Sequence, residues 1–120
     1  MARRLRVTNT TRQAVLVEAG GIADNPLTRV RGLLGRRGLE PGDGLLITPC
    51  TSIHSMWMRF RFDAVFLSRE GEVIHLIEDM APWRCSPLVW KAQSVLEVPS
   101  GTAARTGTRL GDRLETEISP

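Results

Sequence analysis

Hydrophobic residues in this chain come in short runs, and a turn cluster closes nearly every one. The runs are residues 5–9, 14–19, 45–48, 53–58, 64–67, 73–78, 94–98 and 113–118. They alternate or run apolar with β-branched residues, and each is too short for an average helix of about three turns. Thr10-Thr11-Arg12, Glu40-Pro41-Gly42-Asp43-Gly44, Ser68-Arg69-Glu70-Gly71-Glu72 and Gly111-Asp112 stand between them as turns. Gly71 suits the left-handed position of a bulged hairpin. Strands joined this closely pair mainly antiparallel, since parallel neighbours need long crossovers. The expected fold is therefore mainly β, a compact antiparallel barrel or sandwich of about eight short strands.

Two short helices complete the pattern. Asn25 reads as an N-cap and Pro26 as a first helical residue. Leu27, Val30 and Leu34 follow at helical spacing, so they are expected to face inward, with Gly35 or Gly38 ending the helix. Residues 99–107 form the second, closed by Gly107. Residues 79–90 hold two prolines, two tryptophans and a cysteine without any period, and read as an irregular loop.

A chain of 120 residues predicts one domain over residues 1–120, with its core in about 5–118. No run approaches the roughly 18 apolar residues of a membrane helix. The start, Met1-Ala2-Arg3-Arg4-Leu5-Arg6, is basic without a signal peptide's apolar stretch, so a cytoplasmic location is expected. The two cysteines are then read as thiols. Charge is uneven. Residues 1–37 carry eight arginines against Glu18 and Asp24, a balance of +6, and the remainder carries −3. Such a basic third could meet nucleic acid or an acidic partner. There is no zinc-finger spacing and no tyrosine, so nucleic acid is not the expected partner.

The most apolar stretch encloses His54, with Cys50 before it and Met56 and Met58 after it. On an extended strand His54, Met56 and Met58 would share one face, a soft ligand set suited to Cu(I). Methionine on a strand face is more often core filling, so neither a metal nor a cofactor is expected. Cys50 or Cys85 could instead be a nucleophile with His54 as base, as in a Cys/His-dependent hydrolase. The favoured reading is a non-enzymatic ligand-binding or accessory domain. Its polar pocket is expected near His54, from His54, Met58, Arg59, Asp63, Trp83 and Arg84, for an unknown small ligand or protein partner. An adaptor using the basic third is the remaining alternative.

Several segments together resemble one known family. They are Arg31-Gly32-Leu33-Leu34-Gly35-Arg36, Gly42-Asp43-Gly44-Leu45-Leu46, Ile53-His54-Ser55-Met56-Trp57-Met58-Arg59 and Asp63-Ala64-Val65-Phe66-Leu67. Gly71, Val95-Leu96-Glu97-Val98, Gly101, Gly107 and Leu110-Gly111-Asp112-Arg113 follow in order. This is the pattern of the prokaryotic "domain of unknown function 192", matched over about residues 19–114. The resemblance implies a mainly β domain with no assigned activity, substrate or cofactor. Many members look exported, with a leading signal segment; none is expected here. His54, Trp57, Met58 and Arg59 match the family's motif. Members often carry an aromatic residue at Met56, so a copper site shared across the family is not implied; they also often carry an asparagine at Phe60, so a polar site built on that amide is not implied here.

Overall fold

The computed structural model describes residues 3–120; the side chain of Val30, one of the expected inward positions, lies outside the described residues. The elements are β1 (Arg4–Asn9), β2 (Ala14–Ala23), α1 (Pro26–Arg31), β3 (Leu45–Ile47), β4 (Phe62–Leu67), β5 (Val73–Met80), β6 (Ser94–Pro99), α2 (Thr102–Thr106) and β7 (Leu114–Ser119). Seven strands form one sheet in the order β5-β4-β6-β3-β2-β1-β7. Every pairing is antiparallel except β2 with β3.

Strand β2 is long because it serves two partners, β1 along its first part and β3 at its end. The changeover requires glycine. A Cβ on Gly20 would lie 2.6 Å from the Gly44 carbonyl oxygen, and one on Gly44 would lie 2.7 Å from Val17. The sheet is not closed, but it curls until its edges meet at one point. There Glu72 bridges Arg113, Leu114 N–H donates to Gly71 O (2.8 Å) and Val73 N–H donates to Asp112 O (2.8 Å). Gly71, at φ +86°, takes the left-handed turn position expected of it, and a Cβ would press on Leu114 O at 2.5 Å.

Each face of the sheet buries its own apolar cluster. One draws on every strand: Leu5, Val7, Leu16, Val17, Leu46, Val65, Leu67, Val73, Leu96, Val98 and Leu114 fill the inside of the curl. The other lies on β3, β4 and β6, with Leu45, Ile47, Phe62, Ala64, Phe66 and Val95 beneath Leu33, Ile53, Met58 and Ala92. Alternation along β6 sends Leu96 and Val98 to the first cluster and Val95 to the second. Glu97 therefore points to the second, apolar, face.

Two local expectations are corrected. Residues 53–58 are not a strand; only His54 makes an isolated bridge, to Cys85. The chain turns at Met56 and Trp57, where Trp57 has φ 68°, so His54, Met56 and Met58 do not share a strand face. Buried Ser55 is the cause. Its N–H and hydroxyl bond to the 81–84 segment instead of to a ladder: N–H to Arg84 O (2.8 Å) and Oγ–H to Ala81 O (2.6 Å). Helix α1 starts as expected, with a reciprocal capping box between Asn25 and Thr28, but stops at Gly32. A helix of six residues cannot carry Leu27's phase on to Leu34, so Leu27 is 79% exposed while Leu33 reaches the core.

Candidate functional site

Glu97 sits on a central strand between Leu45 of β3 and Ala64 of β4. The residue is 4% exposed, and its carboxyl accepts no hydrogen bond among the described residues; no described side-chain oxygen is both sealed and unpaired, so the carboxyl reaches open space at the cavity. Its position explains its chemistry. Burial alone raises the carboxyl to about 8, because an ion loses its hydration there and gains no partner. At neutral pH it is mostly a protonated acid, able both to donate and to accept.

The carboxyl faces a cavity of about 90 Å³ between α1, the following turn and residues 50–58. Leu33, Leu34, Ile47, Ile53 and Met58 form its apolar walls. Cys50, Ser52, His54, Arg29 and Arg31 supply polar groups. The volume is several times the ~10–15 Å³ that one water requires and well below the ~300 Å³ at which drug-sized pockets begin. It suits a molecule of a few heavy atoms. Two wider surface hollows, of 480 Å³ over Glu18, Gly42 and Arg105 and of 390 Å³ along α1, have no buried titratable group in their walls.

The Cys50 thiol lies in the same cavity. Its S–H donates to Ser52 O (3.1 Å), and burial pushes it up, away from thiolate. Glu97 adds to that rise while Arg29 opposes it, so both charges are felt at one sulfur. His54 is exposed, and its Nδ1 accepts the Met56 N–H (3.3 Å). The neutral ring then carries its proton on Nε2. Cys85 is also exposed and stands opposite His54. Ser55 N–H donates to Arg84 O and Ser86 N–H to Ile53 O, which makes His54 and Cys85 a narrow, non-hydrogen-bonded cross-strand pair.

Of the residues expected to form the pocket, His54 and Met58 line this cavity. Asp63 is on the opposite face of the sheet. Its carboxylate accepts Asp79 N–H (2.8 Å) and Ala103 N–H (2.9 Å), tying the start of α2 to β4. Trp83 and Arg84 are exposed on the outer side of the paired loops, where Trp83 meets Trp57 edge-on with ring centroids 4.7 Å apart. Both tryptophans have positive φ, 68° and 65°, a costly conformation for bulky residues. Ser55 holds that geometry by accepting Trp83 N–H at its carbonyl (3.0 Å) and Arg84 N–H at Oγ (2.9 Å). Arg59 is exposed and outside the cavity wall. The sequence reading passed over Glu97 and did not place Cys50 or Arg29 in the wall of the pocket. The available signal was an acid inside the apolar run Val95-Leu96-Glu97-Val98, at the parity of Val95.

The family model for DUF192, described as "Uncharacterized ACR", matches residues 5–116. The chain belongs to this family. A curated DUF192-like relative, the UPF0127 protein PF1050 of Pyrococcus furiosus, is 32% identical over 99 residues, covering 78% of this chain and 82% of that protein. Two crystal structures share the fold. One, a protein of unknown function from Novosphingobium aromaticivorans, has a TM-score of 0.80 at 23% identity, with 93% of this chain and 83% of that chain covered. The other, from Sinorhizobium meliloti and described as a candidate transcription regulator, has a TM-score of 0.79 at 25% identity, with 97% and 94% covered. Among the described residues of this DUF192 chain, no cluster of three or more His, Cys, Asp or Glu is placed to hold a metal, and no helix is long and apolar enough to cross a membrane.

Proposed function

We propose that this DUF192 domain binds a small polar ligand in the Glu97 cavity, as a ligand-binding or accessory domain. Glu97 carries the reading. A nine-tenths-buried carboxyl without a partner costs stability, and such a cost is tolerated where a ligand supplies the missing bond. His54 and Met58 remain in the site, joined by Cys50 and Arg29. The test is an amide NMR titration with ethylammonium, guanidinium, acetamide and glycine as separate probes. Shifts confined to residues 29–34, 50–58 and 97, lost in Glu97→Leu, would support the reading. Shifts that survive Glu97→Leu, or none with any probe, would end it.

A second reading keeps thiol chemistry, since Cys85 faces His54 across the narrow pair. It requires His54 to give up the Met56 N–H at Nδ1 and to draw the Cys85 proton there. Iodoacetamide alkylation of Cys85 in a Cys50→Ser background should then lose its neutral-pH rate in His54→Ala; an unchanged pH profile removes this reading. The basic third gives nucleic acid less support. Arg3, Arg12 and Arg36 pair with Asp24, Asp112 and Asp43, and Arg29 and Arg31 border the cavity. Arg4, Arg6 and Arg37 are left to contact phosphates.

A further inference from the structure

Resting on the Glu97 cavity as the binding site, we infer that its ligand is a small zwitterion, with an ammonium group on Glu97 and an anionic group on Arg29. The cavity wall combines an acid, Glu97, with the arginines Arg29 and Arg31 and with apolar side chains. Glu97 is the acid at the sheet, held among Leu45, Ala64 and Ile47. Arg29 belongs to the last turn of α1 and is exposed, and among the described residues no carboxylate pairs with it or with neighbouring Arg31. No ion pair joins Glu97 to either arginine among the described residues, and the Cys50 thiol shares the cavity wall with all three. Leu33, Ile53 and Met58 add apolar wall, which suits a short methylene spacer. A cavity of about 90 Å³ admits a few heavy atoms and nothing of nucleotide size.

The protonation balance follows. An ammonium ligand keeps its proton and favours the carboxylate, so Glu97 loses its proton to solvent on binding. The other titratable or charged groups around the cavity are Arg29 and Arg31 on α1 and Cys50 and His54 on the loop. Arginine stays charged, and Cys50 becomes still harder to ionise beside a carboxylate.

Calorimetry at pH 7 with glycine, β-alanine, γ-aminobutyrate, ethylammonium and propionate tests this. At least one amino acid should bind tenfold or more tighter than ethylammonium, with proton uptake by the buffer visible as a buffer-dependent heat. Arg29→Met should erase that tenfold advantage over ethylammonium, whereas Glu97→Gln should weaken the binding of both. Ethylammonium binding as tightly as every amino acid would overturn the zwitterion and leave the Glu97 site standing. No binding by any of the probes would overturn both. A circular-dichroism melt of each variant separates lost binding from lost fold.

Discussion

Two buried acids in this protein are treated in opposite ways. Asp112, 3% exposed, is surrounded by donors. Arg12 approaches through Nε (2.9 Å) and a terminal nitrogen (3.1 Å), Asn9 Nδ2 donates at 3.0 Å, and Arg109 N–H donates at 3.0 Å. These bonds, with that from Arg12 first, hold its carboxyl at about 2. Glu97, 4% exposed, has none of this and rises to about 8. Both side chains are shielded from solvent, but Glu97 lies deep among apolar strands and Asp112 lies near the surface among donors, so depth and partners together decide the sign. Asp112 has a structural task, since its donors join β1 to the turn before β7, where the sheet edges meet. Glu97 joins nothing within the chain and opens on a cavity. The fold supplies donors to the acid that joins its edges and none to the acid that faces the cavity, which is the contrast on which the proposed site rests.

The largest expected effect breaks the contrast at Glu97. Its raised value means the folded state holds the proton more tightly than the unfolded one. Stability from this group is therefore fully present below about 4.5 and lost as pH rises through about 8. Glu97→Gln removes that loss. It should raise stability at pH 8 by roughly 4 kcal/mol relative to the parent, and flatten the urea-midpoint profile between pH 4.5 and 8. Equal pH profiles for the two proteins would contradict it.

Asp112→Asn should act with the opposite sign, costing roughly 2 kcal/mol at neutral pH, because hydrogen bonds to a charged acceptor are lost and donors are stranded. Here the lowered value places stability above about 3.8, lost as pH falls toward about 2. The variant should thus lack the parent's final acid-unfolding limb, which urea melts from pH 5 to pH 2 would reveal. Arg12→Met is a milder cut at the same network, since Asn9 and Arg109 still donate. It should move that limb to higher pH without removing it. Smallest is the effect on Cys50. In a Cys85→Ser background, Glu97→Gln should lower the midpoint of Cys50 alkylation against pH, because one of the groups that pushes the thiol up is gone.

Most of the sheet was legible because short apolar runs bounded by Gly, Pro and Asp turns have few other solutions. The hairpin at Gly71, the capping box at Asn25 and the end of α2 at Gly107 followed from local chemistry alone. Residues 53–58 did not. Their alternation looks like a strand, but buried Ser55 takes its bonds from a segment some thirty residues later, and no local rule reports that. The site was half legible for a related reason. His54 and Met58 stood out as unusual residues in an apolar stretch. Glu97 was visible too, but only pairing with Leu45 and Ala64 shows that its strand is central and its neighbours offer nothing. Asp63 looked like a pocket residue because sequence gives parity without saying which face holds the cavity.

Carbon-13 NMR of the Glu97 carboxyl, followed from pH 4 to pH 10 in the unliganded protein and assigned by comparison with Glu97→Gln, reaches the central claim most directly. A single titration near 8 is predicted. A midpoint near 4.5 would mean that the carboxyl is hydrated or partnered, and the proposed site would lose its foundation.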